Sequence, residues 1–337
     1  MRIIFAGTPD AAVPTLLALL ASAHEVAAVL TRPPARSGRG RALRPSPVAE
    51  VAHDRGIPVV EASTLREDGA AGSAARAAVR GARADLGVVV AYGALIPQEV
   101  LDIPPLGWIN LHFSDLPRWR GAAPVQWALL AGDARTASSV FQLEAGLDTG
   151  AVLSRLPVAI GRETAGELLA RMADLGSRQV VEAVDALEAG TARPAPQNIG
   201  DHGERITRAR RLTHGDGFVD FSSPAEEVDR RIRAVTPNPG AWTTLPDGRR
   251  LALGPVEPVP HSPTLARGAG RLVLSRQRVE VACARGAVRL GQVAPAGRGW
   301  MDAAAWSRGA RLEDGARLGA TPSQEPRPGS PDRAGSR

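Results

Sequence analysis

The side chains best suited to chemistry in this sequence are an amide, an imidazole and a carboxylate. Asn110 and His112 close an apolar strand in which Ile109 and Leu111 alternate with them. Side chains two residues apart on a strand point to the same face, so the amide and the imidazole would lie side by side. Asp148 stands between glycines in GLDTG, in a loop that follows another apolar strand.

Brought together, these three side chains could catalyse acyl transfer. The imidazole can take a proton from an incoming amine, and the amide NH₂ can stabilise the developing oxyanion. The carboxylate can orient the imidazole and stabilise its charged form. With a substrate amine as the nucleophile, the transfer would be direct. The spacing alone leaves a second interpretation open, in which Asn-x-His is a satisfied polar strand end and Asp-Thr-Gly is an ordinary turn.

Alternating strands and helices would have to position these residues. Short apolar strands are predicted at Arg2–Ala6, Glu25–Thr31 and Asp85–Gly93, and the last is a continuous apolar run typical of a parallel strand covered on both faces. Such alternation predicts an α/β doubly wound sheet that binds ligands at the carboxyl ends of its strands. GTPDAA lacks the glycine spacing of a dinucleotide site, and neither a Walker loop nor a Gly-x-Ser-x-Gly elbow is present.

A long helix is predicted after these strands. Thr164 and Glu167 have the spacing of a capping box at its start. Its apolar face would consist of Leu168, Leu169, Met172 and Leu175.

The composition changes along the chain in a way that predicts two domains. We expect a catalytic domain at 1–192 and a polar, basic linker at 193–211. Short alternating runs with Gly and Pro turns then predict a small β-barrel at 212–318. Residues 319–337 have almost nothing to bury, so we expect a disordered tail there.

Composition also excludes several classes of protein. The chain has 337 residues, 44% of them hydrophobic, and no apolar run long enough for a membrane span. Its first residues lack a secretion signal, and its single cysteine, Cys283, excludes an intrachain disulfide or a cysteine zinc site. We expect a cytoplasmic monomer in which Cys283 is a small buried apolar side chain. We expect no metal, since five histidines lie near no other candidate ligands: His24, His53, His202, His214 and His261.

Basic residues form two clusters on a chain of net charge +6 that contains no lysine. The first cluster includes Arg36, Arg39 and Arg41, with no acid between Arg32 and Arg44. The second consists of Arg205, Arg208, Arg210 and Arg211. Such clusters fit either a solvated surface or contact with a polyanion, and the charge alone leaves both open.

Longer motifs carry a resemblance to a known family. The stretch NLHFSDLPRWRGAAPVQWAL resembles the signature of the folate-dependent formyltransferases, Asn-x-His-x-Ser-Leu-Leu-Pro followed by an aromatic-Arg-Gly turn. Within that superfamily the chain looks like the methionyl-tRNA formyltransferases. The motifs that carry this likeness are MRIIFAGTPD, SGRGRALRPSPVAEVA, VVVAYGALIP, GLDTGAVL and RAVTPNPGAWTTL. The match runs, with gaps, from Met1 to about Leu318.

The resemblance implies an activity and a fold. Members transfer a formyl group from 10-formyltetrahydrofolate to the α-amino group of methionine on initiator tRNA, for translation initiation. The transfer is direct and passes through a tetrahedral intermediate. The implied architecture is a Rossmann-like formyltransferase domain with a mostly parallel sheet, joined by a linker to an OB-like barrel that binds tRNA.

It also implies roles for particular residues. The catalytic triad falls on Asn110, His112 and Asp148. The folate-contacting residues fall on Ser114, Asp115, Leu116 and Pro117, and Val90 and Tyr92 would help to wall the pterin pocket. The loop with Arg36, Arg39 and Arg41 would enter the acceptor stem of the tRNA. The linker arginines Arg205, Arg208, Arg210 and Arg211 would follow its phosphate backbone.

Two residues depart from the family pattern. Asp115 replaces an apolar residue of the folate-contacting turn, and it would weaken folate binding if it faced the pocket. We favour a solvent-facing Asp115, which would be harmless. Pro34 replaces an acidic residue and bears on loop conformation only.

Two rival functions belong to other classes. One is a formyltransferase that acts on a nucleotide sugar amine or on glycinamide ribonucleotide, and the arginine loop argues against such a small acceptor. The other is a catalytically silent RNA-binding protein, and the intact Asn110, His112 and Asp148 argue against it.

Overall fold

The computed structural model describes residues 1–37, 42–65, 69–197, 206–260 and 268–319. The chain divides into two compact units, Met1–Leu212 and Thr213–Arg337. No helix in the described part of the chain is both long and apolar enough to cross a bilayer.

Unit 1 is built on a central sheet with helices around it. Its strands, in chain order, are β1 (Arg2–Gly7), β2 (Glu25–Thr31), β3 (Ala35–Ser37), β4 (Ala42–Arg44), β5 (Val59–Glu61), β6 (Leu86–Val90), β7 (Trp108–His112), β8 (Arg120–Gly121), β9 (Arg135–Gln142), β10 (Val152–Ala159) and β11 (Arg208–Ala209). Seven of them form one sheet in the order β10-β9-β7-β6-β1-β2-β5. All the pairs from β7 to β5 are parallel, whereas β9 and β10 are antiparallel at one edge.

The buried character of β1 and β6 explains why these residues form central strands. Ile3, Ile4 and Phe5 of β1 are fully buried, and so is every residue of β6. A strand covered on both faces needs such a continuous apolar run. The prediction of a mostly parallel α/β sheet is therefore confirmed.

The helices of unit 1 cover this sheet. They are α1 (Val13–Leu20), α2 (Pro47–Asp54), α3 (Ala70–Gly81), α4 (Gln98–Leu101), α5 (Pro124–Ala131) and α6 (Ala165–Glu188). The predicted capping box at the start of α6 is confirmed, since Thr164 Oγ1 accepts from the Glu167 amide and the Glu167 carboxylate accepts from the Thr164 amide. This arrangement satisfies two backbone donors that the first turn leaves free.

The apolar face of α6 differs in part from the predicted one. Leu168 and Met172 are fully buried, but Leu169 is only partly buried and Leu175 is 44% exposed. Gly176 lies on the buried face instead, because a Cβ there would stand 2.8 Å from a methyl group of Leu111. The absence of that Cβ lets the helix approach the sheet and turns Leu175 outward.

The described residues of the predicted linker pack on unit 1. Val152 and Ala195 exchange two backbone hydrogen bonds of 2.8 Å, and β11 pairs with β8 in parallel. These residues supply backbone partners to strands that would otherwise lack them. Within the described part, the segment is thus integral to unit 1, which extends to Leu212.

The described residues of unit 2 form two antiparallel sheets and two α-helices. Its elements are α7 (Ala225–Val235), β12 (Ala241–Thr244), β13 (Arg250–Leu253), β14 (Val256–Val259), β15 (Leu272–Leu274), β16 (Val279–Ala282), β17 (Ala287–Leu290), β18 (Gln292–Pro295), β19 (Met301–Asp302) and α8 (Ala303–Ala310). The sheets have the orders β12-β13-β18-β19 and β14-β17-β16-β15. This antiparallel C-terminal unit confirms the second half of the predicted fold class.

Three smaller predictions, on Cys283, the C-terminal tail and His24, can be compared with the structure. Cys283 is buried as predicted, and burial raises the pKa of its thiol to about 12. Gly319, assigned to the tail, donates its amide to the Thr244 carbonyl and so belongs to the folded unit, while 320–337 lie outside the described residues.

His24 was expected to lie apart from other metal ligands, but it contacts Asp185 and Glu188. The Met1 ammonium lies 3.1 Å from His24 and donates to Glu188.

Candidate functional site

The end of β7 presents the amide and the imidazole at the carboxyl edge of the sheet. Asn110 pairs with Phe141 and His112 with Ser139 on the antiparallel neighbour β9. The His112 ring is 6% exposed, and its Nε2 lies 3.0 Å from the Trp119 carbonyl oxygen. A carbonyl can only accept, so Nε2 carries a proton and Nδ1 is the nitrogen left for exchange.

Asp148 lies beside that second nitrogen. Its Oδ2 atom is 3.9 Å from His112 Nδ1 and accepts a 2.7 Å hydrogen bond from the Gly121 amide. The carboxylate is almost fully removed from water, with the residue 9% exposed. The structure therefore brings His112 and Asp148 together at the strand end that carries Asn110.

The Asn110 amide has an unused polar atom. Its Oδ1 is buried, and no donor among the described residues lies within hydrogen-bond distance. A buried amide without a partner is costly, and such groups persist where a ligand supplies the partner. The Oδ1 atom of Asn110 is thus an acceptor available to a bound substrate.

The turn after β7, residues 114–121, is held from inside. Ser114 Oγ donates to the Arg118 carbonyl at 2.6 Å, and Ser139 Oγ donates to the Ser114 carbonyl at 2.7 Å. Ser114 and Leu116 are fully buried, and Pro117 is buried as well. Their side chains shape the turn from within, so they differ from the predicted direct folate contacts, and these three residues could contact a ligand only through their backbone atoms.

Asp115 points away from that buried interior. Its carboxylate, 47% exposed, lies 3.5 Å from Arg155 Nε on β10. Arg155 also donates a 2.6 Å hydrogen bond to the Leu116 carbonyl. The half-exposed, ion-paired position agrees with the solvent-facing alternative for Asp115.

Val90 and Tyr92 do not present their side chains to a ligand. Both are buried, and the Tyr92 hydroxyl donates to the Ala62 carbonyl at 3.1 Å. Burial raises the pKa of Tyr92 to about 12. The prediction that these two side chains wall a pterin pocket is therefore corrected: they belong to the core, whereas the neighbouring Ala91, Gly93 and Leu95 are exposed.

Backbone strain concentrates at this edge. Ala91, Trp119 and Asp148 have φ values of 48°, 59° and 51°, in the left-handed region that residues with a Cβ rarely adopt. Such conformations persist only where surrounding contacts hold them, and they are commonest at functional sites. At Trp119 and Asp148 the groups so oriented are the carbonyl and the carboxylate that face His112.

Two glycines allow the close backbone approaches that the site needs. Gly121 has φ +125°, and a Cβ there would lie 2.6 Å from the Ala209 carbonyl oxygen. A Cβ on Gly150 would lie 1.8 Å from the Gln142 carbonyl oxygen. Side chains at these two positions would displace the turn and the Asp148 loop.

The predicted tRNA-binding arginines fall into three groups. Arg36 is exposed on β3, which pairs with β4 in a two-stranded sheet. Arg208, Arg210 and Arg211 are also exposed, and the Arg210 guanidinium lies 5.4 Å from the centre of the Trp127 ring. Arg39, Arg41 and Arg205 lie outside the described residues.

The sequence analysis missed the residues that support this site. Arg120, Gln197 and Thr207 hold the turn and the Asp148 loop through hydrogen bonds between distant parts of the chain. Buried glutamine in a polar, proline-bearing segment gives no periodic signal. Only the neighbouring RWRG motif pointed to this region.

Comparisons with known proteins are consistent with this geometry. Residues 1–184 match the family described as formyl transferase, and residues 211–311 match the formyl transferase C-terminal domain. A methionyl-tRNA formyltransferase from Acidothermus cellulolyticus is 50% identical over 334 residues, which cover 94% of this chain and all of that protein. One from Thermobifida fusca is 49% identical over 320 residues, covering 95% of this chain and 99% of that protein.

The fold is shared with a solved structure as well. Methionyl-tRNA formyltransferase from Clostridium thermocellum superposes with a TM-score of 0.54 at 16% identity, over 76% of this chain and 93% of that one. HypX from Aquifex aeolicus, solved with tetrahydrofolic acid, superposes with a TM-score of 0.60 at 17% identity, over 91% of this chain and 47% of that one.

Proposed function

The chain belongs to the methionyl-tRNA formyltransferase family, and from that premise we propose how its site transfers a formyl group to the amine of methionyl-initiator tRNA. The donor is 10-formyltetrahydrofolate, and the reaction is direct, without a covalent enzyme intermediate. Because its acceptor serves translation initiation, the enzyme works in the cytoplasm. The observation that carries this proposal is the juxtaposition of His112 and Asp148 at the strand end that bears Asn110.

In the first step the methionyl amine attacks the formyl carbon. A new carbon–nitrogen bond forms, and the formyl oxygen becomes an oxyanion. Asn110 lies at the strand end where that charge develops, and its unpaired Oδ1 is an acceptor for the N–H of the attacking amine. Its amide NH₂ donates to the oxyanion, an interaction that strengthens as the tetrahedral intermediate forms.

The attacking nitrogen becomes cationic and must lose a proton. His112 Nδ1 receives it, since Nε2 is already engaged with the Trp119 carbonyl. The resulting imidazolium has an acceptor at each nitrogen, the Trp119 carbonyl and the Asp148 carboxylate. At 3.9 Å the second contact is too long for a hydrogen bond, and it shortens when the ring becomes charged.

Collapse of the intermediate completes the transfer. The bond between the formyl carbon and the folate N10 breaks, and that nitrogen takes the proton held by His112. The products are formyl-methionyl-tRNA and tetrahydrofolate. Ser114 is excluded as a nucleophile, because its hydroxyl is fully buried and donates to the Arg118 carbonyl.

Exposed arginines support a nucleic-acid acceptor. Arg36, Arg208, Arg210 and Arg211 are exposed on unit 1, the unit that carries the site. Guanidinium groups bind phosphates and base edges, and flexible basic segments order on RNA. A small amine acceptor needs no such surface. We also expect the protein to act as a monomer, which light scattering would test.

The test is formylation of charged initiator tRNA with 10-formyltetrahydrofolate, with Asn110→Ala as the matched variant. We expect the wild-type protein to form formyl-methionyl-tRNA and the variant to lose that activity while still binding tRNA. A wild-type protein that binds tRNA without transfer would be a silent binder. Transfer to a nucleotide sugar amine in place of methionyl-tRNA would identify the small-acceptor rival.

A further inference from the structure

Gln197 joins three parts of the site through one buried side chain. Its Nε2 donates to the backbone carbonyls of Asp148 and Gly150, at 2.9 and 2.8 Å. Its Oε1 accepts from Arg120 Nε at 3.1 Å and from Arg120 Nη2 at 2.6 Å. Gln197 is only 9% exposed, so every hydrogen-bonding position of its amide is used inside the protein.

These contacts form a closed ring around the catalytic carboxylate. Asp148 Oδ2 is held by the Gly121 amide, and Gly121 adjoins Arg120 in β8. Arg120 reaches Gln197, and Gln197 returns to the Asp148 carbonyl. The side chain and the main chain of Asp148 are therefore fixed through the same short strand.

The Asp148 loop needs such support. Residues 144–147 are exposed, and Asp148 itself has φ 51°. Within the loop, Thr149 Oγ1 donates to the Glu144 carboxylate on the exposed side, away from the carboxylate that faces His112. A residue in a sparsely populated conformation stays there only when neighbouring groups determine it. The two donations from Gln197 to carbonyls 148 and 150 supply that constraint on either side of Thr149.

Thr207, just before β11, supports the histidine side of the site. The Trp119 amide donates to Thr207 Oγ1 at 2.7 Å, and the Arg120 amide donates to the Thr207 carbonyl at 2.9 Å. The Trp119 carbonyl in turn accepts from His112. Gln197 and Thr207 thus support both partners of the His112–Asp148 pair.

We propose that Gln197 is a positioning residue for formyl transfer, which fixes Asp148 against His112 by bridging its loop to Arg120. This proposal rests on the proposed function and adds a residue to it. Misplacing a catalytic group by about 1 Å can lower a rate about 100-fold, so a bridge of this kind has a measurable effect on turnover.

Two substitutions of Gln197 separate the roles of its donor Nε2 and its acceptor Oε1. Gln197→Met keeps the length of the side chain and removes both its donor and its acceptor. Gln197→Glu keeps an oxygen for Arg120 but loses both donations and places negative charge beside the carbonyls of Asp148 and Gly150. The second variant retains an attachment to unit 1, so it provides a folded protein if Gln197→Met is too unstable.

The chain contains a matched control for the loss of a buried glutamine. Gln179 on α6 is 6% exposed, accepts from Ser138 Oγ at 2.6 Å, and donates to the Ser138 carbonyl and to Ser154 Oγ. These contacts lie within β9, β10 and α6, away from the Asp148 loop. Gln179→Met should lower the melting temperature as Gln197→Met does, while kcat per folded molecule stays near the wild-type value.

The decisive experiment is a double-mutant cycle on kcat with methionyl-tRNA and 10-formyltetrahydrofolate. We expect Gln197→Met and Gln197→Glu to lower kcat about 10- to 100-fold, with the KM for tRNA nearly unchanged. In an Asp148→Asn background the same changes should lower kcat less than about threefold, because the carboxylate that they position is already gone.

The outcomes distinguish failure of the role proposed for Gln197 from failure of the proposed formyl transfer. A wild-type protein without formyl transfer overturns the proposed function itself. With an active wild type, an unchanged kcat in Gln197→Glu overturns the positioning role. So does an equal fold loss in the wild-type and Asp148→Asn backgrounds, since a merely structural glutamine would act identically in both.

Discussion

The catalytic edge and the β3–β4 hairpin of unit 1 are built in opposite ways. At the catalytic edge, His112 and Asp148 are buried, and Gly121 holds Asp148 from 27 residues earlier in the chain. His112 contacts the nearby Trp119, which is itself held by Thr207, 88 residues further on. The hairpin consists of two three-residue strands that pair with each other and, among the described residues, with no other strand. Arg36, Leu43 and Arg44 on it are exposed.

The difference follows from what each region handles. A formyl group is a few atoms in size, so the groups that stabilise its transition state must be in place before it arrives. A tRNA acceptor presents many phosphates, and exposed arginines can meet it with little prior order. Substitutions at the edge should therefore change kcat, whereas substitutions in the hairpin should change the affinity for tRNA.

The strongest test of this contrast is removal of a catalytic side chain. We expect Asn110→Ala or Asp148→Ala to lower kcat by about 10²–10³-fold, because each removes a group aimed at charge that develops in the transition state. Circular dichroism and tRNA binding should stay close to wild type. Near-normal turnover of either variant would contradict the assignment of the site.

In the buried region, Tyr92 should make the free energy of unfolding depend on pH in the alkaline range. The folded pKa of Tyr92 is raised from 10.0 to about 12, so its neutral form stabilises the fold fully below pH 10. Above pH 10 the unfolded chain loses this proton first, and stability should fall until about pH 12, by about 2–3 kcal/mol. Urea unfolding of wild type and Tyr92→Phe across this range measures the difference.

Tyr92 is the only tyrosine of the chain, so tyrosinate absorbance reports it alone. In the folded protein we expect its ionisation midpoint near pH 12. An ordinary midpoint would show that the hydroxyl is solvated and that this strand end is open to water.

We expect Arg36→Ala, on the exposed hairpin, to raise the KM for tRNA about tenfold while folate binding stays unchanged. We expect the same of Arg39→Ala, a contact predicted from the sequence. Each substitution should also reduce the slope of log affinity against log salt by about one. Equal activity of these variants at limiting and saturating tRNA would contradict a role in acceptor binding. Asp10→Ala, at an exposed acid of unit 1, serves as the control.

The smallest expected effect is at Asp115. Exposed ion pairs contribute about 0–1 kcal/mol, so Asp115→Leu should change the KM for the folate donor less than about fivefold. Arg155→Met should have the larger effect, since it also removes the hydrogen bond to the Leu116 carbonyl. A marked gain in folate affinity in Asp115→Leu would show that the carboxylate faces the pocket.

The corrected predictions share one cause. The motifs that resemble the folate-binding segments of the family contain Val90, Tyr92, Ser114 and Leu116. The side chains of these residues nevertheless point into the protein. A motif marks the segment that forms a site, but the side chains inside the segment divide between ligand and core. That division depends on which neighbours the fold supplies, and those neighbours are far away in the sequence.

By itself, the sequence determined the features that depend on residues close together in the chain. The period of two on β7 placed Asn110 and His112 on one face, and the spacing of Thr164 and Glu167 determined a helix start. Tertiary structure alone decided that Gln197 would reach a loop 49 residues earlier, and that Thr207 would hold Trp119 across 88 residues. Local patterns cannot specify such contacts, because hydrogen bonds between distant segments form only after the sheet and its helices have set the path of the chain.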